Sequence, residues 1–225
     1  MKKFFTPEPV IFYNGAEADK LPDNSIQSIE KAFLDGADAV CLNIRLSENK
    51  EVVAPSIGDE LIPLAKIFDS FPDKKFNITI IDKNIELVKK YVSIVQASKA
   101  EDRIITSSIY GDNIKLVRQL IPESVTAFTL WGILGVYALF RSGLLNFKKN
   151  FKADVFQAPE KIGSSYITNK VIIGQLRNKG IRVHVWNIKD RAQLKRAFES
   201  GADGFMVNDI EMAKEFLEQA QAETL

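Results

Sequence analysis

Residues 180–210 read GIRVHVWNIKDRAQLKRAFESGADGFMVNDI, and this one stretch holds a complete β-α-β unit. Ile181 to Trp186 is a short apolar and β-branched run of strand type, and Gly204 to Val207 is a second. Between them Arg191-AQLKRAFESG has helical spacing, with Asp190 placed to cap its start and Gly201 to stop it.

The same alternation runs outward through the chain. Further strands are expected at Pro9 to Tyr13, Ala39 to Ile44, Phe76 to Ile81, Arg103 to Thr106, Val125 to Thr129 and Ala153 to Gln157. Helical patterns such as Ser25-IQSIEKAFLDG, Ile85-ELVKKYVSIVQAS and Asn113-IKLVRQLI lie between them, with Gly36 ending the first. Eight near-continuous apolar strands in 225 residues predict an α/β fold of the (β/α)8 TIM-barrel type, with residues 1–225 as a single domain. An open doubly wound sheet would need a crossover reversal, and no GxGxxG follows the first strand to support a dinucleotide site.

Composition narrows the function. Thirty Lys+Arg against 29 Asp+Glu leave a formal charge of +1, so no global field draws the chain to nucleic acid. A single cysteine forms no internal disulfide, and Glu8 with two nearby prolines interrupts any signal-peptide core at MKKFFTPEPVIF. A cytoplasmic chain is the expectation. The one histidine excludes paired-imidazole zinc or acid–base sites.

In a barrel the chemistry belongs at the C-terminal ends of the strands. Those positions hold Tyr13, Asn14 and Gly15; Cys41, Asn43 and Arg45; Thr79, Asp82 and Lys83; Ser107 and Ser108; Gln157, Pro159, Glu160 and Lys161; Trp186 and Asn187; and Asn208 and Asp209. Acids and bases are sparse there, and Asp82 with Lys83 is the most suggestive pair.

These residues carry a resemblance to the glycerophosphodiester phosphodiesterase family over nearly the whole chain. Phe12-Tyr-Asn-Gly15 and Pro22-Asp-Asn-Ser25 resemble the family's His-Arg-Gly and Pro-Glu-Asn-Thr. Gly36-Ala-Asp38, Cys41-Leu-Asn43, Val52-Val-Ala-Pro-Ser56 and Asn77-Ile-Thr-Ile-Ile81 are similar to its next four segments. Gly180-IRVHVWNIKD190 and Gly201-ADGFMVNDI match its ending most closely. The resemblance implies a TIM barrel that hydrolyses phosphodiesters with two histidines, an arginine and three carboxylates holding Mg²⁺ or Ca²⁺. The six matched positions are Tyr13, Asn14, Cys41, Asn43, Pro55 and Thr79, and none keeps its family residue.

Tyr13, Asn14 and Pro55 therefore stand where the resemblance puts catalytic groups, and Cys41, Asn43 and Thr79 where it puts metal ligands. Such side chains lack the hard oxygen charge that Mg²⁺ or Ca²⁺ takes, so no metal and no cofactor is expected. The small excursion usual in the family after its second histidine is also expected to be missing, because Leu61-IPLAKIFDSF follows Ser56 closely.

What remains is a set of ligand-binding candidates: Asn14, Asn43, Asp82, Lys83, Gln157, Lys161 and Trp186. Four of them have a plainer reading. Asp82 and Lys83 fit a solvated helix start, Lys161 an ordinary surface position, and Trp186 core packing. His184, on the strand face of Trp186, fits a core histidine better than a catalytic one, and Cys41 a buried thiol better than a nucleophile.

The sequence thus predicts a family member without catalysis that keeps a ligand-binding or regulatory role linked to glycerophospholipid metabolism. A glycerophosphodiester or lysophospholipid is its expected ligand. The alternative is an active hydrolase on those compounds with a rearranged site, recruiting Asp82, Lys83, Cys41 or Glu17 and keeping Trp186 and Asn24 at the mouth. Val125-TAFTLWGILGVYALF140 is uncharged but shorter than a membrane span. A strand and helix are the first expectation there; the second is peripheral membrane contact through residues 131–152, with Trp131, Leu134, Tyr137 and Phe140 beside Arg141, Lys148, Lys149 and Lys152.

Overall fold

The computed structural model describes residues 2–8, 10–15, 24–56 and 60–222. Eight parallel strands alternate with eight helices, as the periodicity predicts. They are β1 (Ile11–Tyr13), α1 (Ile26–Asp35), β2 (Ala39–Leu46), α2 (Leu64–Ser70), β3 (Lys75–Ile80), α3 (Ile85–Ala97), β4 (Ile104–Ser107) and α4 (Gly111–Leu120). The second half adds β5 (Val125–Thr126), α5 (Leu130–Arg141), β6 (Val155–Pro159), α6 (Lys170–Arg177), β7 (Arg182–Ile188), α7 (Arg191–Glu199), β8 (Gly204–Val207) and α8 (Ile210–Ala222).

Each strand pairs with its sequence neighbours, and β1 pairs with β8. The ring closes between β5 and β6 through the Ala127–Val155 bridge, where Phe128 N donates to Val155 O and Asp154 N to Thr126 O, both at 2.9 Å. The chain is a (β/α)8 barrel.

Strand alternation sorts the side chains into two shells. Val40, Leu42 and Ile44 of β2, with Phe76, Ile78 and Ile80 of β3, are buried under the helices. The other face looks into the barrel, whose lower end is filled by Phe12, Ala39, Ile105, Val125 and Val155 and plugged by Phe4 and Phe5.

The Gly-Ala-Asp segments are structural devices. Gly36 and Gly201 end α1 and α7 with φ of 109° and 86°, a region that favours glycine. The aspartates then lock the next strand to its neighbour: Asp38 Oδ2 accepts from Val10 N and Ile11 N at 2.9 and 2.8 Å, and Asp203 Oδ2 from Val183 N at 2.8 Å. Side chains of Ser25, Asn84 and Asp190 cap α1, α3 and α7 as their sequence positions suggest.

Some boundaries differ from expectation. β5 stops at Thr126, because Thr129 turns outward to cap α5, accepting from Gly132 N at 3.3 Å. α4 begins at Gly111, and Asn113 inside it donates to Asp82 O at 2.8 Å. Between β2 and α2 the chain makes two antiparallel strands, Val52–Pro55 and Leu61–Pro63, which turn back on β2; a small hairpin pairs Lys161–Ile162 with Ser165–Tyr166. The start of the first predicted strand, Pro9, lies outside the described residues.

Candidate functional site

A cavity of about 430 Å³ opens at the C-terminal ends of the strands, within the usual size range for small-molecule sites. Its floor comes from inward positions of neighbouring strands in register: Cys41 beside Asn77, Asn43 beside Thr79, and Thr79 beside Ser107. TIM-barrel interiors are ordinarily packed with branched apolar residues, so these polar layers call for a reason.

At the cavity floor, hydrogen bonds bind the polar layer into one chain. Gln157 Nε2 donates to Asn77 Oδ1 at 3.0 Å and approaches His184 Nδ1 at 3.4 Å, while Asn77 Nδ2 donates to Cys41 Sγ at 3.5 Å. A donor facing Nδ1 puts the imidazole proton on Nε2, which has no partner among the described residues. His184 is fully buried and packs on Phe12 with ring centroids 4.5 Å apart. Burial, helped by the charge of Arg182, pushes its imidazole down to about 3, so it is neutral. Burial likewise pushes the Cys41 thiol up to about 12, which leaves no thiolate to act as nucleophile.

Within the floor, Thr79 Oγ1 and Ser107 Oγ share a hydrogen bond at 2.8 Å. Ser108 donates to Ile80 O at 2.7 Å and holds the turn into α4. One wall is apolar: Ile109, Phe128, Leu130, Ile133, Trp186 and Met206. Among the described residues lining the cavity there is no Asp, Glu, Lys, Arg or His.

The structure brings together Asn14, Asn43, Gln157 and Trp186 from the ligand-binding candidates. It does not bring in Asp82 and Lys83: the ammonium of Lys83 pairs with Asp112 at 3.0 Å in solvent, and the Asp82 carbonyl serves Asn113. Lys161 lies over the Tyr166 ring, 4.1 Å from its centroid, and lines a smaller neighbouring cleft with Trp186 and Arg196. Glu17 lies outside the described residues.

Of the six matched positions, Asn14, Cys41, Asn43 and Thr79 line the cavity. Tyr13 is packed into the core beneath the helices, and Pro55 supplies a carbonyl to Asn24 Nδ2 at 2.7 Å. Sequence reasoning missed Asn77, whose signal was its place two residues before Thr79 on one strand face. It also missed Leu130 and Ile133, which α5 leans over the cavity at i, i+3 spacing.

The residues of the expected apolar face on α5 differ in their packing. Trp131 is exposed at the mouth, but Tyr137 and Phe140 pack against the core cluster beneath α5. The twelve residues of α5 span about 18 Å. No helix among the described residues is long and apolar enough to cross a membrane.

Residues 50–212 match the glycerophosphoryl diester phosphodiesterase family. The chain belongs to that family. It is 26% identical over 186 residues to mouse lysophospholipase D GDPD1, a match covering 73% of this chain and 59% of the relative's length. Among solved structures it is similar to a phosphodiesterase from Oleispira antarctica in complex with the product sn-glycerol-3-phosphate, with a TM-score of 0.76 at 12% identity, covering 95% and 98% of the two chains. A putative glycerophosphodiester phosphodiesterase from Galdieria sulphuraria gives 0.74 at 14% identity, covering 93% and 98%.

The family's divalent cation can be tested against the donors at the matched positions. Cys41 is a protonated thiol, Thr79 a hydroxyl engaged by Ser107, and Asn43 a neutral amide. Mg²⁺ and Ca²⁺ take charged oxygen ligands, and this set does not fit them. No three of His, Cys, Asp and Glu come together among the described residues.

Proposed function

We propose that this chain is a catalytically inactive member of the glycerophosphoryl diester phosphodiesterase family that keeps a ligand-binding or regulatory role linked to glycerophospholipid metabolism. The observation that carries the reading is the neutral cavity: four of the six matched positions line it, yet no charged group does among the described residues. Phosphodiester cleavage needs a group to activate the nucleophile, a proton for the leaving oxygen and positive charge on the phosphoryl oxygens. The described lining offers none of the three. His184 is enclosed and neutral, and Cys41 is a thiol.

The test is release of glycerol 3-phosphate or free alcohol from glycerophosphodiesters and lysophospholipids by purified protein, with Mg²⁺, Ca²⁺ or a chelator. No turnover from a folded sample is expected. Turnover that a chelator abolishes means that the alternative holds and that an active hydrolase draws on groups such as Glu17 beyond the described residues.

A further inference from the structure

We infer that the cavity takes a single-chain amphiphile whose head is uncharged and rich in hydroxyl or amide groups, such as a polyol monoester. This inference rests on the binding-protein reading above and specifies the ligand.

The floor sets the head group. Asn43, Asn77, Thr79, Ser107 and Gln157 are all neutral, and each both donates and accepts hydrogen bonds. Hydroxyls do the same, so a polyol matches such a surface at either polarity. A phosphate carried to that floor loses hydration and meets no cation in the described lining, an arrangement that disfavours anions.

No Lys or Arg around the mouth lines the cavity among the described residues. Lys83 is held by Asp112, Arg196 by Glu160 at 2.6 Å, and Lys161 lies on Tyr166. Arg45, on the same face of β2 two residues beyond Asn43, and Lys189, in the neighbouring cleft with Trp186, are outside the described cavity lining.

The wall sets the tail. Ile109, Leu130 and Trp186 line the cavity and are also 55%, 47% and 40% exposed, so apolar side chains reach from the cavity to the surface. An enclosed site for a compact polar ligand has no use for an apolar ramp leading out; an alkyl chain anchored by its head does. Each methylene laid on that wall tightens binding by up to roughly fourfold.

The experiment uses the full chain stripped of copurified lipid. Calorimetry below the micellar limit compares 1-decanoylglycerol with 1-decanoylglycerol 3-phosphate and 1-decanoylglycero-3-phosphocholine, and every ligand is recovered for mass spectrometry. The uncharged ester is expected to bind at least tenfold more tightly than either phospho compound and to come back intact, with the octanoyl ester roughly tenfold weaker. Leu130→Asp is expected to weaken all three, and Asn43→Lys to move the preference toward the phosphate. Equal or tighter binding of a phospho compound by the unaltered protein overturns the head-group inference, and so does failure of all three to bind. Cleavage of a phospho compound overturns instead the reading of the chain as inactive, so the two failures are told apart without any variant.

Discussion

Gln157 and Asn77 are 80 residues apart in the chain, and Gln157 Nε2 donates to Asn77 Oδ1 at 3.0 Å across the inside of the barrel. β6 and β3 are not neighbours in the sheet, so this bond spans the barrel interior. Through His184 on one side and Cys41 on the other, it makes the cavity floor a connected polar layer.

Gln157→Leu keeps most of the volume but strips Asn77 Oδ1 of its donor in a buried setting. The expected cost is about 1–3 kcal/mol. Asn77→Leu with Gln157→Leu should cost less than the two separate losses added, because the orphaned partner is then gone too. Denaturant unfolding of both single variants and the double variant checks this; strict additivity contradicts it.

Gly204 is present for want of space. A Cβ there would sit 2.8 Å from both His184 Cδ2 and Phe12 Cε2, and both rings are fully buried. Gly204→Ala should therefore destabilise by about 1–3 kcal/mol through overpacking. Adding Phe12→Leu should recover part of it, and thermal unfolding of the pair measures how much.

Acid should weaken the fold through His184. Its folded imidazole is pushed down to about 3 from an ordinary 6.5, so between those values the unfolded chain binds a proton that the native one refuses. Stability is then complete above about 6.5 and falls as pH drops, by up to about 1.4 kcal/mol per pH unit. Glu8 and Asp203, raised by burial, act in the opposite direction, so the comparison that isolates His184 is with His184→Gln. Urea midpoints at pH 7 and pH 5 should diverge more for the native chain than for that variant.

Mg²⁺ or Ca²⁺ at millimolar concentration should leave the melting temperature where it stands. Cys41→Glu, Asn43→Asp and Thr79→Glu together put three carboxylates at the cavity floor. That triple variant should melt higher with the cation, the stabilisation reaching about 2.7 kcal/mol at a hundredfold excess over the dissociation constant. A shift already present in the unaltered protein would falsify the misfit of its donors.

Pro55→His alone should yield no turnover, since acid, base and charge neutralisation act as a unit. Product release by that variant above the unaltered protein's background is the contrary result.

The strands and their order were legible because buried parallel strands are continuous apolar runs, and the helix ends because caps and stop glycines sit at fixed offsets. Gly36-Ala-Asp38 was legible as a motif, but its work, tying β2 to β1 through Asp38 Oδ2, is a contact between strands. The early end of β5 was hidden because Thr129 has good strand propensity, and its capping role depends on where α5 begins. Lys83 looked as eligible as Gln157 at a strand end; only the pairing with Asp112 sets it apart.

From the sequence alone, the eight units and the barrel could be determined, because periodicity and residue identity are local properties of the chain. The tertiary structure decided the character of the cavity. Which polar groups share a floor depends on strand register around a closed ring, which aligns Asn43 with Thr79 and Thr79 with Ser107. Whether His184 or Cys41 can carry charge depends on enclosure by residues distant in the chain, and enclosure holds both neutral.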